Sequence, residues 1–262
     1  MKTKKKTLKT IGTLAIVGIL GFGAARGVTG ISAYMEDGEE VINTFVVGEV
    51  SLSLTEPSYP GNDLDAVKNQ VPHQETTKNP TVTNTGENDE VVFIRMTVPV
   101  KSNIVTVNAD GTKNTPANSE LYYFKKSTDA SSVHANNFNL ATASADGWIE
   151  LTEKEEGTAL TGTTRTYVFG YSKALQGSTT YDGDAQTTGN KVTVPLFDKI
   201  QLYNVLEGTI PSNQSQNIVI QAYGIQADEI IQSGSVIDTS STLSENTLNY
   251  IYDVYVNQNT TN

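Results

Sequence analysis

Apolar residues along this chain alternate with polar ones in short stretches, and only near the end do they fall at helical spacing. Residues 91–98 set Val92, Ile94, Met96 and Val98 on one face and Val91 and Phe93 on the other. Such a strand belongs in the middle of a sandwich, with Arg95 and Thr97 leaving its second face partly wet. Residues 164–171 also alternate, and their shared face of Tyr167, Phe169 and Tyr171 reads as core rather than as a binding platform. Residues 217–227 form a second strongly apolar strand. Shorter strands are predicted at 104–107, 121–124, 148–151, 191–197 and 199–205, and another opens at Pro80. Asn84-Thr85-Gly86, Asp110-Gly111 and Asp146-Gly147 mark turns, because Asn and Gly tolerate positive φ. Within 241–258, Leu243, Leu248, Ile251, Tyr252 and Tyr255 follow helical spacing, with Ser241 or Ser244 as the N-cap. The expected fold is mostly β: a jelly-roll-like antiparallel β-sandwich with long loops, at 101–147 and 174–190, and a C-terminal helix.

The start of the chain has a different pattern. A basic stretch at 1–10 precedes an apolar run at 11–25, too short for a comfortable membrane span and of the length of a signal-peptide core. Arg26 ends the run, and the small residues Thr29, Gly30 and Ser32 lead to Ala33. Cleavage is expected between Ala33 and Tyr34, so that the uncleaved leader is the chain's only membrane contact. The tail NQNTTN has neither a sortase-like signal nor an anchor helix, which favours release from the membrane. The organisation read from this is a signal peptide at 1–33, a linker and first strand at 34–56, and a sandwich with its helical tail at 57–262.

Charge narrows the possible partners. Six of the 18 Lys and Arg lie in the first 33 residues and none of the 29 Asp and Glu does, so the cleaved chain has 12 basic against 29 acidic residues, a net charge of −17. That balance argues against nucleic acid, whose phosphates need clustered Lys and Arg. The chain has no Cys, which excludes thiol catalysis, Cys-based zinc sites and disulfides. Its two histidines, His73 and His134, are far apart in polar stretches, and no HExxH, GxSxG, phosphate-binding loop or dinucleotide fingerprint is present. The acidic runs 36–40, 87–90 and 150–156 offer oxygen ligands for calcium but lack EF-hand spacing, and they read as solvated loops. No cofactor and no catalytic residue is expected.

Several segments together resemble one family. Ser32-Ala33-Tyr34 followed by Glu36-Asp37 and NTFVVGEVSLSLTE (43–56) resembles the signal regions cut by SipW-type peptidases of Gram-positive bacteria, with Met35 where Phe is usual. NPTVTNTGENDEVVFIRMTVP (79–99) is similar to the family's second signature. Gly147-Trp148, the aromatic strand, VPLFDKIQL (194–202) and IVIQAYGIQAD (218–228) match the same pattern, with Gly224 where Ala is commoner. The chain thus resembles the TasA/camelysin group of secreted biofilm-matrix proteins. The resemblance implies a jelly-roll domain cut by a SipW-type signal peptidase and built into extracellular fibres, in the matrix or on the surface of a Gram-positive cell. It further implies that the freed N-terminal strand completes a groove in the next subunit, giving a head-to-tail homopolymer or a fibre shared with a related matrix subunit.

The physics of strands supports this expectation separately. An inserted strand satisfies its main-chain groups and buries alternate side chains, and a head-to-tail contact that does not close yields a filament. Phe45, Val47, Val50, Leu52 and Leu54 are the expected donor-strand residues, with a bulge allowed at Gly48-Glu49 where alternation breaks. The long polar loops motivate a second reading, a monomeric secreted or surface binding module such as an adhesin or accessory matrix subunit. Camelysins have also been classed as metallopeptidases, and two dispersed histidines give that third reading little help.

Overall fold

The computed structural model describes residues 50–60, 71–72, 74–126, 133–134 (backbone only), 147–156, 163–178, 190–210 and 217–259. The leader, Ala33, Tyr34, Phe45, Val47 and His73 lie outside the described residues, as do the acidic run 36–40, Asp146, and the central parts of both long loops. All described residues belong to one compact unit, Val47–Asn262.

The strands are β1 (Leu52–Thr55), β2 (Glu75–Thr77), β3 (Thr81–Asn84), β4 (Glu90–Ile104), β5 (Ala117–Glu120), β6 (Tyr122–Lys125), β7 (Val133–His134), β8 (Trp148–Glu150), β9 (Thr164–Tyr171), β10 (Lys199–Leu202), β11 (Val219–Gln226), β12 (Ile231–Gln232) and β13 (Ser235–Val236). One helix, α1 (Glu245–Asn259), follows them. The first sheet runs β11-β4-β9-β8, all antiparallel, with β5 pairing the far end of β4. A second sheet runs β2-β10-β6-β7, and β1 ladders with β3. The protein is thus an antiparallel β-sandwich of the jelly-roll-like kind with a C-terminal helix.

Strand β4 organises the packing. Its even-numbered apolar residues Val92, Ile94, Met96 and Val98 face the interior, where they meet Tyr167 and Phe169 of β9, Trp148, Val82, Phe124 and Ile200. Its odd residues Val91 and Phe93 face the other way, onto Leu248 and Ile251 of α1. A strand buried on both faces reads as an unbroken apolar run, which is what 91–94 is. The aromatic stripe Tyr167, Phe169, Tyr171 is core, at most 2% exposed. Trp148 is fully buried, and its indole N–H donates to the Val194 carbonyl at 2.8 Å, tying the first sheet to the segment beside β3.

The helix is set by its first turn. Ser244 Oγ accepts the Thr247 N–H at 3.2 Å, so Ser244 is the N-cap, an interaction worth about 1 kcal/mol. Leu243 before the cap and Leu248 in the first turn lie in one buried cluster, the positions of a hydrophobic staple. Leu248 rests on Gly170 of β9, where a Cβ would come within 3.1 and 3.2 Å of its two methyl groups.

Some sequence expectations are corrected. Residues 191–197 form no strand; a single bridge joins Val192 to Thr83. The stretch does lie beside β3, but Thr193 Oγ1 takes the Val82 N–H in place of a main-chain carbonyl, and Pro195 has no N–H to give. Strand β4 does not stop at Val98: it passes Pro99 and ends at Ile104, with a register shift between Lys101 and Ile104 and Asn103 at φ 59°. The turn after Asn84 uses no positive φ; the Asn84 side-chain oxygen accepts the Gly86 N–H at 2.8 Å instead. His134 belongs to β7, opposite Tyr123, rather than to a loop. The hairpin β12–β13 and strand β5 gave no periodic signal.

Candidate strand-binding groove

Of the expected donor-strand residues, Val50, Leu52 and Leu54 fall among the described ones. Val50 is 41% exposed, and Leu52 and Leu54 on β1 are half-buried against the interior cluster. Among the described residues β1 pairs only with β3, in the register Leu52 to Asn84 through Thr55 to Thr81. It is therefore an edge strand whose apolar face closes part of the interior.

The residue just before it, Ser51, is gripped from several sides. The Ser51 carbonyl accepts the N–H groups of Thr85 (2.8 Å) and Gly86 (3.0 Å). Thr85 Oγ1 donates to Ser51 Oγ at 3.0 Å. The Ser51 N–H donates to Glu90 Oε1 at 2.7 Å. Glu90 opens β4 on the same face as Val92, so its carboxylate points into the sandwich and is fully buried. The other oxygen, Oε2, has no hydrogen-bond partner among the described residues. Burial pushes the Glu90 pKa up to about 7, against a smaller opposing pull from the Ser51 N–H.

The next residue fills a notch. Leu52 lies over Gly224 of β11: a Cβ at 224 would sit 2.9 Å from Leu52 Cδ2 and 2.9 Å from Glu90 Oε2. Glycine at this position is thus explained by close approach, with no special φ involved. Just past the strand's other end, Lys78 Nζ lies 2.6 and 2.7 Å from the Glu56 carboxylate oxygens and 4.5 Å from the Tyr59 ring centre. Lys78 is buried, with 10% of its side chain exposed. At the Val50 end the strand meets a surface cavity of about 570 Å³, lined by Ile230, Ile231, Tyr250, Tyr255 and Gly224.

A second polar constellation lies on β5 and β9. Glu120 is fully buried and accepts the Tyr167 hydroxyl at 2.7 Å. Arg165 reaches Glu120 at 3.6 Å and Glu155 at 3.0 Å and stacks 4.3 Å from the Tyr167 ring centre. Burial and a hydrogen bond to Glu155 raise the Glu150 pKa to about 9, so this carboxyl keeps its proton at neutral pH. Burial, and then the Glu120 carboxylate, push the Tyr167 hydroxyl up as well. One guanidinium thus balances the carboxylates of one corner of the interior.

The expectation that 87–90 and 150–156 are solvated loops holds only in part: Glu87, Glu153 and Glu156 are exposed, but Glu90 is buried and the Glu155 side chain is 3% exposed. Composition hides this, because an acidic run reads as surface whatever its neighbours. The only sequence signal was the period of β4, which places Glu90 in phase with Val92. Among the described residues no group of three or more acidic or His side chains is arranged to hold a metal ion. No described helix is long and apolar enough to cross a membrane. No family model matches the chain, and no curated protein matches it.

Proposed function

We propose that the chain is a secreted structural subunit of extracellular biofilm-matrix fibres, which polymerises by N-terminal donor-strand exchange after a SipW-type peptidase removes its leader. The sequence resemblance to the TasA/camelysin group motivates the reading. The observation that carries it is β1 itself, an edge strand laddered to β3 alone among the described residues, with Leu52 and Leu54 as its two half-buried apolar side chains. A strand paired along one side only can leave and be replaced by its equivalent from another copy, which restores the same hydrogen bonds and the same two leucines. Because the strand given and the groove filled lie on different copies, the contact propagates head to tail. The partners are then the peptidase during export and other copies of the chain, or a related subunit, in the fibre.

Negative-stain electron microscopy tests this with the chain beginning at Tyr34 beside the same chain lacking residues 34–54. Filaments from the first and single particles from the second are expected. Single particles from both would move the reading to a monomeric binding module.

A further inference from the structure

We propose that the β1 groove reads its strand at both ends, Glu90 taking the backbone N–H of Ser51 and Lys78 the carboxylate of Glu56, with Gly224 admitting Leu52 between them, so that the strand it selects in trans is segment 51–56 (SLSLTE) of a second copy of this chain. The inference rests on the donor-strand reading above and adds what fixes the partner and the register.

Register is the difficulty that such a key has to solve. A slip by one residue turns Leu52 and Leu54 outward, and is excluded by the buried face. A slip by two residues is more dangerous, because Ser51-Leu52 and Ser53-Leu54 repeat the same pair. With Ser53 moved to the Ser51 position, Leu54 would fill the Gly224 notch, but Glu56 would take the half-buried place of Leu54 and leave Lys78 alone. With the opposite slip, Glu49 would stand beside the buried Glu90 carboxylate, and Val50 would underfill the notch. Only the observed register places Glu56 on Lys78, the two leucines inward and a neutral residue on Glu90. Burying a charge without its partner is costly, and Lys78 is buried, so the far end of the strand must bring an acid. The notch excludes a bulkier wall: any side chain at 224 meets Leu52 and Glu90 at once.

The test is a strand-exchange assay on the intact chain, with a fluorescein-labelled peptide of residues 43–56 followed by anisotropy. The wild-type peptide is expected to displace β1 and bind. A peptide carrying Glu56→Lys is expected to bind at least tenfold more weakly, and to regain binding on a chain carrying Lys78→Glu. A chain carrying Gly224→Ala is expected to prefer the Leu52→Ala peptide over the wild-type one. Undiminished binding of the Glu56→Lys peptide to the wild-type chain overturns the key, and that arm uses no altered chain whose folding could be in question. Failure of the charge swap to restore binding, on a Lys78→Glu chain whose Trp148 emission stays that of a buried indole, overturns it too. If the wild-type chain forms filaments while the Glu56→Lys peptide binds normally, the key alone fails. If neither filaments nor peptide binding occurs, the donor-strand reading fails with it.

Discussion

The contact between α1 and the first sheet makes a prediction whose sign depends on the geometry. Leu248 is fully buried, with its methyl groups 3.1 and 3.2 Å from the place of a Cβ on Gly170. Leu248→Ala removes a core leucine and leaves a void, a loss of about 3 kcal/mol. With a urea m-value of about 2 kcal/mol/M for a domain of this size, the unfolding midpoint drops by about 1.5 M. Gly170→Ala alone forces a methyl group against Leu248 and against Phe93 at 3.2 Å. Crowding of this kind costs about 1–3 kcal/mol, partly offset by about 0.4–1 kcal/mol from a less flexible unfolded chain. The single variant is therefore destabilised by about 1 kcal/mol. In the Leu248→Ala background the added methyl enters the vacated space, and the same Gly170→Ala change becomes neutral or stabilising. The double-mutant cycle thus carries a coupling of about 1 kcal/mol or more, well outside the roughly 0.3–0.5 kcal/mol scatter of independent sites. Urea titrations of the four proteins, followed by the emission of the single, buried Trp148, measure it. Equal effects of Gly170→Ala in both backgrounds would refute the proposed contact.

Two further predictions concern buried charge. In the native state the Glu90 pKa, near 7, stands above the ordinary 4.5, so between these values the folded chain holds more protons than the unfolded one, and stability falls as pH rises through that window. Glu75, hydrogen-bonded by Lys125 and Lys199 and held near 2, acts oppositely: its contribution is present above 4.5 and is lost as pH falls toward 2. Thermal melts from pH 2 to 8 should therefore peak near pH 4.5–5, with Glu90→Gln flattening the fall above the peak; a maximum at pH 7 or higher in the wild type would sink the reasoning. Arg165→Met removes the guanidinium shared by the buried Glu120 and Glu155 side chains, so a loss of about 3–5 kcal/mol is expected at pH 7. A loss under about 1 kcal/mol at pH 7 would mean that the cluster carries little of the fold.

The elements most legible in the sequence are those whose period is set by burial. Strand β9 has the predicted bounds, because every second residue from Tyr167 to Tyr171 meets the same core. Strand β4 declared its central position by being apolar on both faces, and α1 by its spacing and its Ser244 cap. What stayed hidden depends on partners far away in the chain. Nothing near residue 193 reveals that the Thr193 hydroxyl takes the place of a ladder carbonyl. Nothing near residue 150 reveals that Arg165 holds the Glu155 side chain inward. Val50, Leu52 and Leu54 could be named from alternation, whereas Glu90, Lys78 and Gly224 could not, since each acquires its role only from the strand laid across it.

This division of labour bears on how a strand can change partners without unfolding its domain. The two half-buried leucines of β1 contribute a few kcal/mol at most, because full burial of one such side chain is worth about 1.5–3 kcal/mol. The deep interior is closed by other elements: β4, β9, Trp148 and Phe124 pack one face of the first sheet, and α1 packs the other. Removing β1 therefore opens one margin of the sandwich while both faces of β4 stay covered. Departure of β1 also lets water reach the Glu90 carboxylate, whose single hydrogen-bond partner among the described residues is the N–H of Ser51, just before the strand. The groove is consequently most averse to its strand when Glu90 is ionised and most retentive when it is protonated, so the chemistry that fixes the register also makes occupancy respond to pH. Ser51 just before β1, Leu52 on β1, Gln226 opposite Glu90 on β11 and Leu175 bridged to Glu90 are all neutral, so none of these residues brings a counter-charge to it.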